Sequence, residues 1–510
     1  MGSINGGEED ILHVMFIPFL APGHMVPMVD IARLFAAGGG RDIRVTILTT
    51  TTNARRISSA IDRDSLSGHR ISLLTLAFPF KEAGLPEGCE NLLSAPTPEI
   101  NFKLFHGIEL LQPEMIDLVR THRPDCLVTD YLYPWSADVA ADLGIPRLAF
   151  SGSGFFNLCV ADSIEANKPH AEISSESEEF VVPGIPNRVT LTRSQLPDIV
   201  KGEAKLSRFF DKLKQAERRS YGVIVNTFHS LEAEYAEHYR RVTGLKAWQL
   251  GPVSLFINRN FDDKINRGGK SDVNAENCLN WLDSMKPNSV LYICLGSLTR
   301  FSKAQISEIS CALEESSHPF IWVLAKILKP NVEFDQVDEG KEQWWLPEGF
   351  ENRVKQSGKG LIIRGWAPQM AILEHASIGG FVTHCGWNSI MEGVCAGVPM
   401  VTWPIFAEQF YNEKLVTQVM KFGVSVGNEV WSVWATEELP LIRGERLRSA
   451  VEVVMGGGVE AAEMRRKAVE LGKEAKRAVG EGGTSSDELK GLLEEIRGCK
   501  SKRRGVEQVA

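Results

Sequence analysis

No stretch of this chain reaches about 18 uninterrupted apolar residues, the length a helix needs to cross a bilayer, so no membrane span is expected in its 510 residues. Basic residues are not in excess: 56 Lys and Arg stand against 65 Asp and Glu, a net charge of −9. That balance argues against a partner that is nucleic acid or an anionic membrane, since such binders carry a dominant basic face. The dense basic cluster Lys500–Arg504 lies in a polar tail and reads as a solvated end. The nine cysteines are scattered, odd in number and without a C-x-x-C pair, the usage of free thiols in a reducing compartment. The opening residues MGSINGGEED are acidic ahead of a short apolar run and lack the form of a secretory signal. A cytoplasmic location follows as the expectation. No G-x-G-x-x-G follows an expected strand and no G-x-S-x-G elbow occurs, which removes a nicotinamide dehydrogenase and a serine hydrolase. There is no short internal repeat.

What is present is an ordinary globular composition, 43% hydrophobic and 24% charged. Short apolar runs at 13–18, 43–49, 71–76, 126–129, 147–150 and 221–226 are separated by helical patterns, among them 26–37 and 100–122. Strands alternating with helices predict a parallel sheet covered on both faces. A boundary falls near Gln249–Val253, and the pattern then restarts. Strands are expected at 290–295, 320–325, 361–364, 380–383 and 400–403, with helices at 303–316 and 441–497, the latter broken at 480–484. Residues 258–277 are charged, Gly-rich and aperiodic and predict a mobile linker, while 168–179 and 329–343 read as exposed insertions. The expected division is an N-terminal α/β domain over 1–250, a linker over 251–276, a second α/β domain over 277–480, and a C-terminal helix and tail over 481–510. A monomer is expected.

The densest chemistry lies in the run from Trp366 to Gln409, WAPQMAILEHASIGGFVTHCGWNSIMEGVCAGVPMVTWPIFAEQ. A strand ends at Thr383, His384-Cys385-Gly386 makes a turn, and Trp387-Asn388-Ser389 opens a helix. A glycine turn feeding a helix start gathers free N–H groups and the positive end of the helix dipole, a site for a diphosphate. Glu392, one turn into that helix, can accept two ribose hydroxyls. Trp366 offers an indole face for a base ring. Glu408 and Gln409 are polar groups in an apolar run, suited to sugar hydroxyls.

From its opening Trp to its closing Gln, with HCGWNS intact, this run resembles the signature box of the plant family-1 UDP-sugar glycosyltransferases. The resemblance implies an α/β GT-B fold, two Rossmann-like domains whose parallel sheets face a cleft. It places Trp366 on uracil and adds Ala367 and Gln369 to the donor-binding set. It places His384, Asn388 and Ser389 on the diphosphate, Glu392 on the ribose, and Trp387, Glu408 and Gln409 on the sugar. Ser297 and Thr299, in LGSLT, resemble a second phosphate loop. PFLAPGHMVPMVDIA and PDCLVTDYLYPW resemble the segments that carry the general base and its partner, here His24 and Asp130. The family commonly has Ala-Gln-Gly-His where this chain has Ala-Pro-Gly-His; Pro22 stiffens the turn and removes a donor.

Histidine, with a reference pKa of about 6.5, suits abstraction of an alcohol proton near neutral pH. An aspartate at the same sheet edge fixes its tautomer and stabilises the imidazolium, as in hydrolase triads. The partners implied are a UDP-sugar and a small-molecule acceptor, with no cofactor and no metal. Gln409 favours UDP-glucose, as His at that point accompanies galactose. PFLAPGHMVPMVDIARLFA and WSVWATEE at 431–438 resemble a plant subgroup acting on flavonoids, triterpenoids and steroids, and a triterpenoid or steroidal sapogenin is the expected acceptor, with flavonoids or other phenolics as the alternative. Phe19, Leu20, Phe102, Phe105, Phe155 and Phe156 are consistent with a hydrophobic acceptor. His13 and His375 read as structural, and His106 as structural or lining the acceptor site. Asp62-Arg63-Asp64 has the spacing of a metal-dependent transferase, a rival reading.

Overall fold

Runs that are apolar throughout become central parallel strands, because helices cover both faces of such a sheet. In the computed structural model, which describes residues 11–95, 97–201, 207–257, 261–269, 275–324, 326–327, 345–432 and 440–509, LHVMFI forms β1 (Leu12–Ile17) with every residue buried. It is followed by β2 (Ile43–Thr50), β3 (Ile71–Leu76), β4 (Cys126–Asp130) and β5 (Arg147–Ser151). A short antiparallel pair, β6 (Glu179–Val181) and β7 (Thr190–Thr192), precedes β8 (Gly222–Val225) and β9 (Lys246–Gln249). Seven of these make one parallel sheet in the order β3-β2-β1-β4-β5-β8-β9.

The pattern then repeats. After β10 (Val290–Cys294) come β11 (Arg300–Phe301), β12 (Phe320–Val323), β13 (Lys326–Ile327), β14 (Gly360–Ile363), β15 (Ile378–Thr383), β16 (Met400–Thr402) and β17 (Gly423–Ser425). Six form a second parallel sheet, β14-β12-β10-β15-β16-β17, and β11 pairs β13 separately. The expectation of two parallel α/β halves is met. Among the described residues no helix is long and apolar enough to cross a membrane.

Two compact units contain these sheets. One comprises Met1–Phe155, Lys205–Arg259 and Ala475–Ala510, the other Phe156–Ala204 and Asn260–Glu474. The units are therefore not separated by one cut near residue 250. Thr190 N–H donates to Gln418 Oε1 at 2.9 Å and Trp431 N–H to the Ser194 carbonyl at 2.9 Å, which ties the β6–β7 region to the second unit. The C-terminal helix Thr484–Val509 belongs to the first: Leu489, Leu492, Leu493 and Ile496 share a core with Val14, Phe16, Ile31 and Phe35. Gln249 N–H also donates to Glu488 at 2.6 Å.

Four local readings change. The first helix begins at Pro22, not Val26, because proline suits the first helical position, where no N–H is needed. The expected helix over 441–497 is broken a second time, at Gly456–Gly458, into Gly444–Met455 and Val459–Ala478. The expected linker contains a helix, Phe261–Asn266, although 258–260 and 270–274 lie outside the described residues. The strands β9 (KAWQ) and β17 (GVS) were not expected, because neither is a continuous apolar run. The insertions at 329–343 and most of 431–438 also lie outside the described residues.

His13 sits inside β1, buried, with Nε2 2.9 Å from Thr46 Oγ1. Burial, aided by nearby Arg44, pulls its pKa down to about 4. The unfolded chain, with an ordinary histidine near 6.5, then binds more protons between those values, so stability falls as pH drops from about 6.5 to 4. His13→Gln is expected to flatten that part of a stability–pH curve by up to about 1.4 kcal/mol per pH unit. Leu492→Ala should cost about 2–5 kcal/mol in urea unfolding. Leu66→Ala, at a side chain 88% exposed, should shift it by no more than about 0.5 kcal/mol.

Candidate active site

In open parallel sheets, ligands bind beyond the carboxyl ends of strands where the strand order reverses. In the first sheet that point lies between β1 and β4, which are neighbours. His24 stands in the first turn of the helix Pro22–Gly39 that follows β1, and Asp130 is the last residue of β4. Topology thus brings together two residues 106 positions apart: His24 Nδ1 lies 2.8 Å from Asp130 Oδ2. A carboxylate only accepts, so Nδ1–H donates to it and Nε2 keeps the lone pair.

Asp130 is fully buried, and a buried carboxylate must be compensated. Its Oδ1 accepts the Leu132 N–H at 3.0 Å. Behind it the buried Arg147 donates to Thr129 Oγ1 at 3.0 Å, Ser220 Oγ at 2.6 Å and the Asp130 carbonyl at 3.4 Å. Burial lowers the Arg147 pKa to about 10, while the nearby Glu217 and Asp130 carboxylates oppose that fall. The signal for Arg147 was a charged residue opening an apolar strand.

Aromatic surface surrounds the histidine. The Phe19 ring meets it edge-on at 5.7 Å and the Tyr131 ring stacks at 6.1 Å. Phe105 lies 5.7 Å from Phe19. Phe102 and Phe105 are exposed, whereas Phe19, Leu20, Phe155 and Phe156 are buried and belong to the core. Gly152 faces the imidazole: a Cβ there would sit 3.2 Å from its ring.

The second sheet reverses between β10 and β15. The turn after β10 carries Gly296, and the turn after β15 carries His384. His384 is slotted between glycines, since a Cβ on Gly296 would lie 2.6 Å from its Nε2 and one on Gly386 2.5 Å. Gly296 has φ +85, a conformation side chains resist. Cys385 is also left-handed, φ 64, and Asn412 supports it by donating to its carbonyl at 3.0 Å. This turn aims the helix Trp387–Ala396, whose cap Gly386 has no side chain to occupy the leading N–H groups. His384 is half-buried; the protein packed around it lowers its pKa to about 4, and its buried Nδ1 has no hydrogen-bond partner among the described residues. It is therefore a neutral ring near pH 7.

Trp366 and Ala367 are half-buried, and the Trp366 indole N–H donates to the Arg267 carbonyl at 3.1 Å. Glu392 accepts from Gln369 Nε2 at 2.7 Å and pairs with the Arg267 guanidinium. Gln369 also donates to Ser389 Oγ at 3.3 Å and accepts from the Tyr292 hydroxyl at 3.2 Å. Trp387 is buried and Asn388 half-buried on the same helix. The Ser297 side chain is exposed on the turn after β10, but the Thr299 hydroxyl donates to the Leu295 carbonyl and holds that turn. Gln409 is buried, its Oε1 accepting the N–H groups of Ile405 at 2.8 Å and Phe406 at 3.0 Å, which leaves its amide nitrogen for other bonds. Glu408 stands at the N-cap position of the helix Gln409–Lys414 and accepts from Asn412 Nδ2 at 3.4 Å.

Arg267, Tyr292, Asn412 and Gly152 were not anticipated. Arg267 lay in an aperiodic stretch that carries no pattern, whereas Asn412 is a polar residue among apolar ones. Outside the site, His375 lies between Ser377 and Asp283 at 2.8 and 3.1 Å, a structural role, and His106 sits 3.8 Å from Glu109 on the surface. Asp64 of the rival metal pair is bridged by the buried Arg33 at 2.6 and 3.1 Å.

Two sheets, each with a histidine at its reversal point, and a glycine-framed helix start define a nucleotide-sugar enzyme of GT-B fold. Residues 204–432 match the family described as "UDP-glucoronosyl and UDP-glucosyl transferase". The chain is 46% identical to UDP-glucosyl transferase 73CC6 of Saponaria officinalis, over 95% of this chain and 97% of that one. It is 47% identical to UDP-glucose flavonoid 3-O-glucosyltransferase 7 of Fragaria ananassa, over 95% and 96%. The crystal structure of Glycyrrhiza uralensis UGT73P12 complexed with glycyrrhetinic acid 3-O-monoglucuronide superposes with a TM-score of 0.89 at 42% identity, covering 98% of both chains. The chain belongs to the plant family-1 UDP-glycosyltransferases and is an enzyme of that class.

Gly296→Ala is expected to displace His384 and weaken UDP binding by about tenfold or more in titration calorimetry, through the combined close contact and strained φ.

Proposed function

We propose that the protein transfers glucose from UDP-glucose to a hydroxyl of a hydrophobic plant metabolite, with inversion, and that the acceptor is a triterpenoid or steroidal sapogenin. The 2.8 Å pair between His24 and Asp130 carries this reading. His24 Nε2 takes the acceptor's hydroxyl proton as that oxygen attacks the anomeric carbon. The bond from that carbon to the UDP oxygen breaks on the opposite face, giving a β-glycoside. Asp130 stabilises the imidazolium. The departing diphosphate meets the N-terminus of the helix Trp387–Ala396, with Asn388, Ser389, Ser297 and a donated N–H of neutral His384. Thr299 shapes the second phosphate turn. Trp366 stacks on uracil, Ala367 and Gln369 belong to the same donor-binding set, Glu392 holds the ribose, and Trp387, Glu408 and the amide of Gln409 the sugar. UDP-glucose is a substrate here, and the reading assigns no cofactor or metal.

Tyr131 beside His24 and the exposed Phe105 against Phe19 support an apolar acceptor. Similarity to a structure holding glycyrrhetinic acid 3-O-monoglucuronide favours the sapogenin class. A flavonoid acceptor is the second reading, favoured by the Fragaria ananassa relative.

His24→Ala should lower transfer about a hundredfold or more, while UDP binding by calorimetry stays near wild type. Near-normal turnover in that variant would sink the assignment. A panel of sapogenins and flavonoids with UDP-glucose, UDP-galactose and UDP-xylose decides between the acceptor readings: higher kcat/KM on a flavonoid would replace the first by the second.

A further inference from the structure

We infer that Arg267 is a positioning residue of the donor site, fixing the uracil-stacking ring and the ribose-binding carboxylate relative to each other. This rests on the assignment of Trp366 and Glu392 to the nucleoside made above.

The segment 261–269 is laid along the start of the signature box at several points. Lys264 pairs with Glu374. The Arg267 carbonyl accepts the Trp366 indole N–H at 3.1 Å, which sets the plane of that ring. A Cβ on Gly269 would lie 4.0 Å from Trp366 Cδ2, so the chain runs close beside the indole. The Arg267 guanidinium pairs with Glu392 Oε1, and the two side chains are only 9% and 8% exposed. Gln369 holds the other oxygen, Oε2, at 2.7 Å. One residue therefore grips both nucleoside-recognition groups, the ring through its backbone and the carboxylate through its side chain.

A carboxylate offers about four lone-pair sites. Two are taken by Arg267 and Gln369, and the remainder point in fixed directions for the ribose hydroxyls. Without the guanidinium, Glu392 keeps a nearly buried, unbalanced charge and loses the contact that fixes its rotamer. The loss falls on recognition of the ribose.

The test is calorimetry with UDP and 2′-deoxy-UDP on the full-length protein and the variants Arg267→Met, Arg267→Lys and Glu392→Gln. Arg267→Met should weaken UDP binding about tenfold or more and shrink the preference for UDP over 2′-deoxy-UDP. Arg267→Lys should recover part of both, because it keeps the charge but not the fork. Adding Arg267→Met to Glu392→Gln should cause little further loss, since the first acts through the second. A folded Arg267→Met protein that binds UDP as well as, or better than, wild type, with its 2′ preference intact, overturns the inference. If Arg267→Met does not fold, Arg267→Lys decides: unchanged affinity and preference refute it. Failure of the underlying assignment looks different, as Glu392→Gln itself would then bind UDP and 2′-deoxy-UDP as wild type does.

Discussion

Two neighbouring parallel strands whose crossovers leave in opposite directions open a gap at their carboxyl ends, and each sheet of this protein has one such gap. The first lies between β1 and β4, the second between β10 and β15. A histidine follows a strand at both. Their surroundings make them different reagents. His24 is hydrogen-bonded to a buried carboxylate, which stabilises positive charge on the ring and suits it to taking a proton. His384 is framed by Gly296 and Gly386, with no carboxylate paired to it among the described residues, and packing keeps it neutral. One ring is equipped to become charged, the other to donate a hydrogen bond without charge.

The buried acids follow the same logic. Asp130 survives without water because His24, the Leu132 N–H and the field of Arg147 share its charge. Glu392 is shared between Arg267 and Gln369. Glu413, buried beside β16 and β17, is held by Lys414, Thr402 and Ser425, and burial nonetheless raises its pKa. In the first two cases the acid stands beside a group proposed to meet substrate, whereas Glu413 braces the sheet.

The sequence was legible where chemistry is local. The alternation of apolar runs with helical patterns showed two parallel sheets, and the run from Trp366 to Gln409 carried the resemblance to the family. The pairing of His24 with Asp130 was legible too, because each follows or ends a strand and topology does the rest. What sequence patterns did not show depends on tertiary placement. Arg267 has no periodic context, yet it reaches a carboxylate 125 positions away. Thr299 and Gln409 carried the right residue types, but part of their hydrogen-bonding capacity is spent on neighbouring backbone, which depends on the folded turn. Phe155 and Phe156 were consistent with a hydrophobic acceptor site and are core, since an apolar residue is equally at home in either setting.

The helix Thr484–Val509 completes the hydrophobic core begun by β1, with Leu489 packed beneath Gly38. Nearly the whole second unit is translated between those two halves of one core. On the ribosome, the earliest strands therefore wait, with part of their apolar surface uncovered, until residues 484–509 have been made, since a chain emerging at about 5–20 residues per second cannot close this core sooner. Completion of the first unit's core is tied to synthesis of the second unit, which lies between its two parts in the chain.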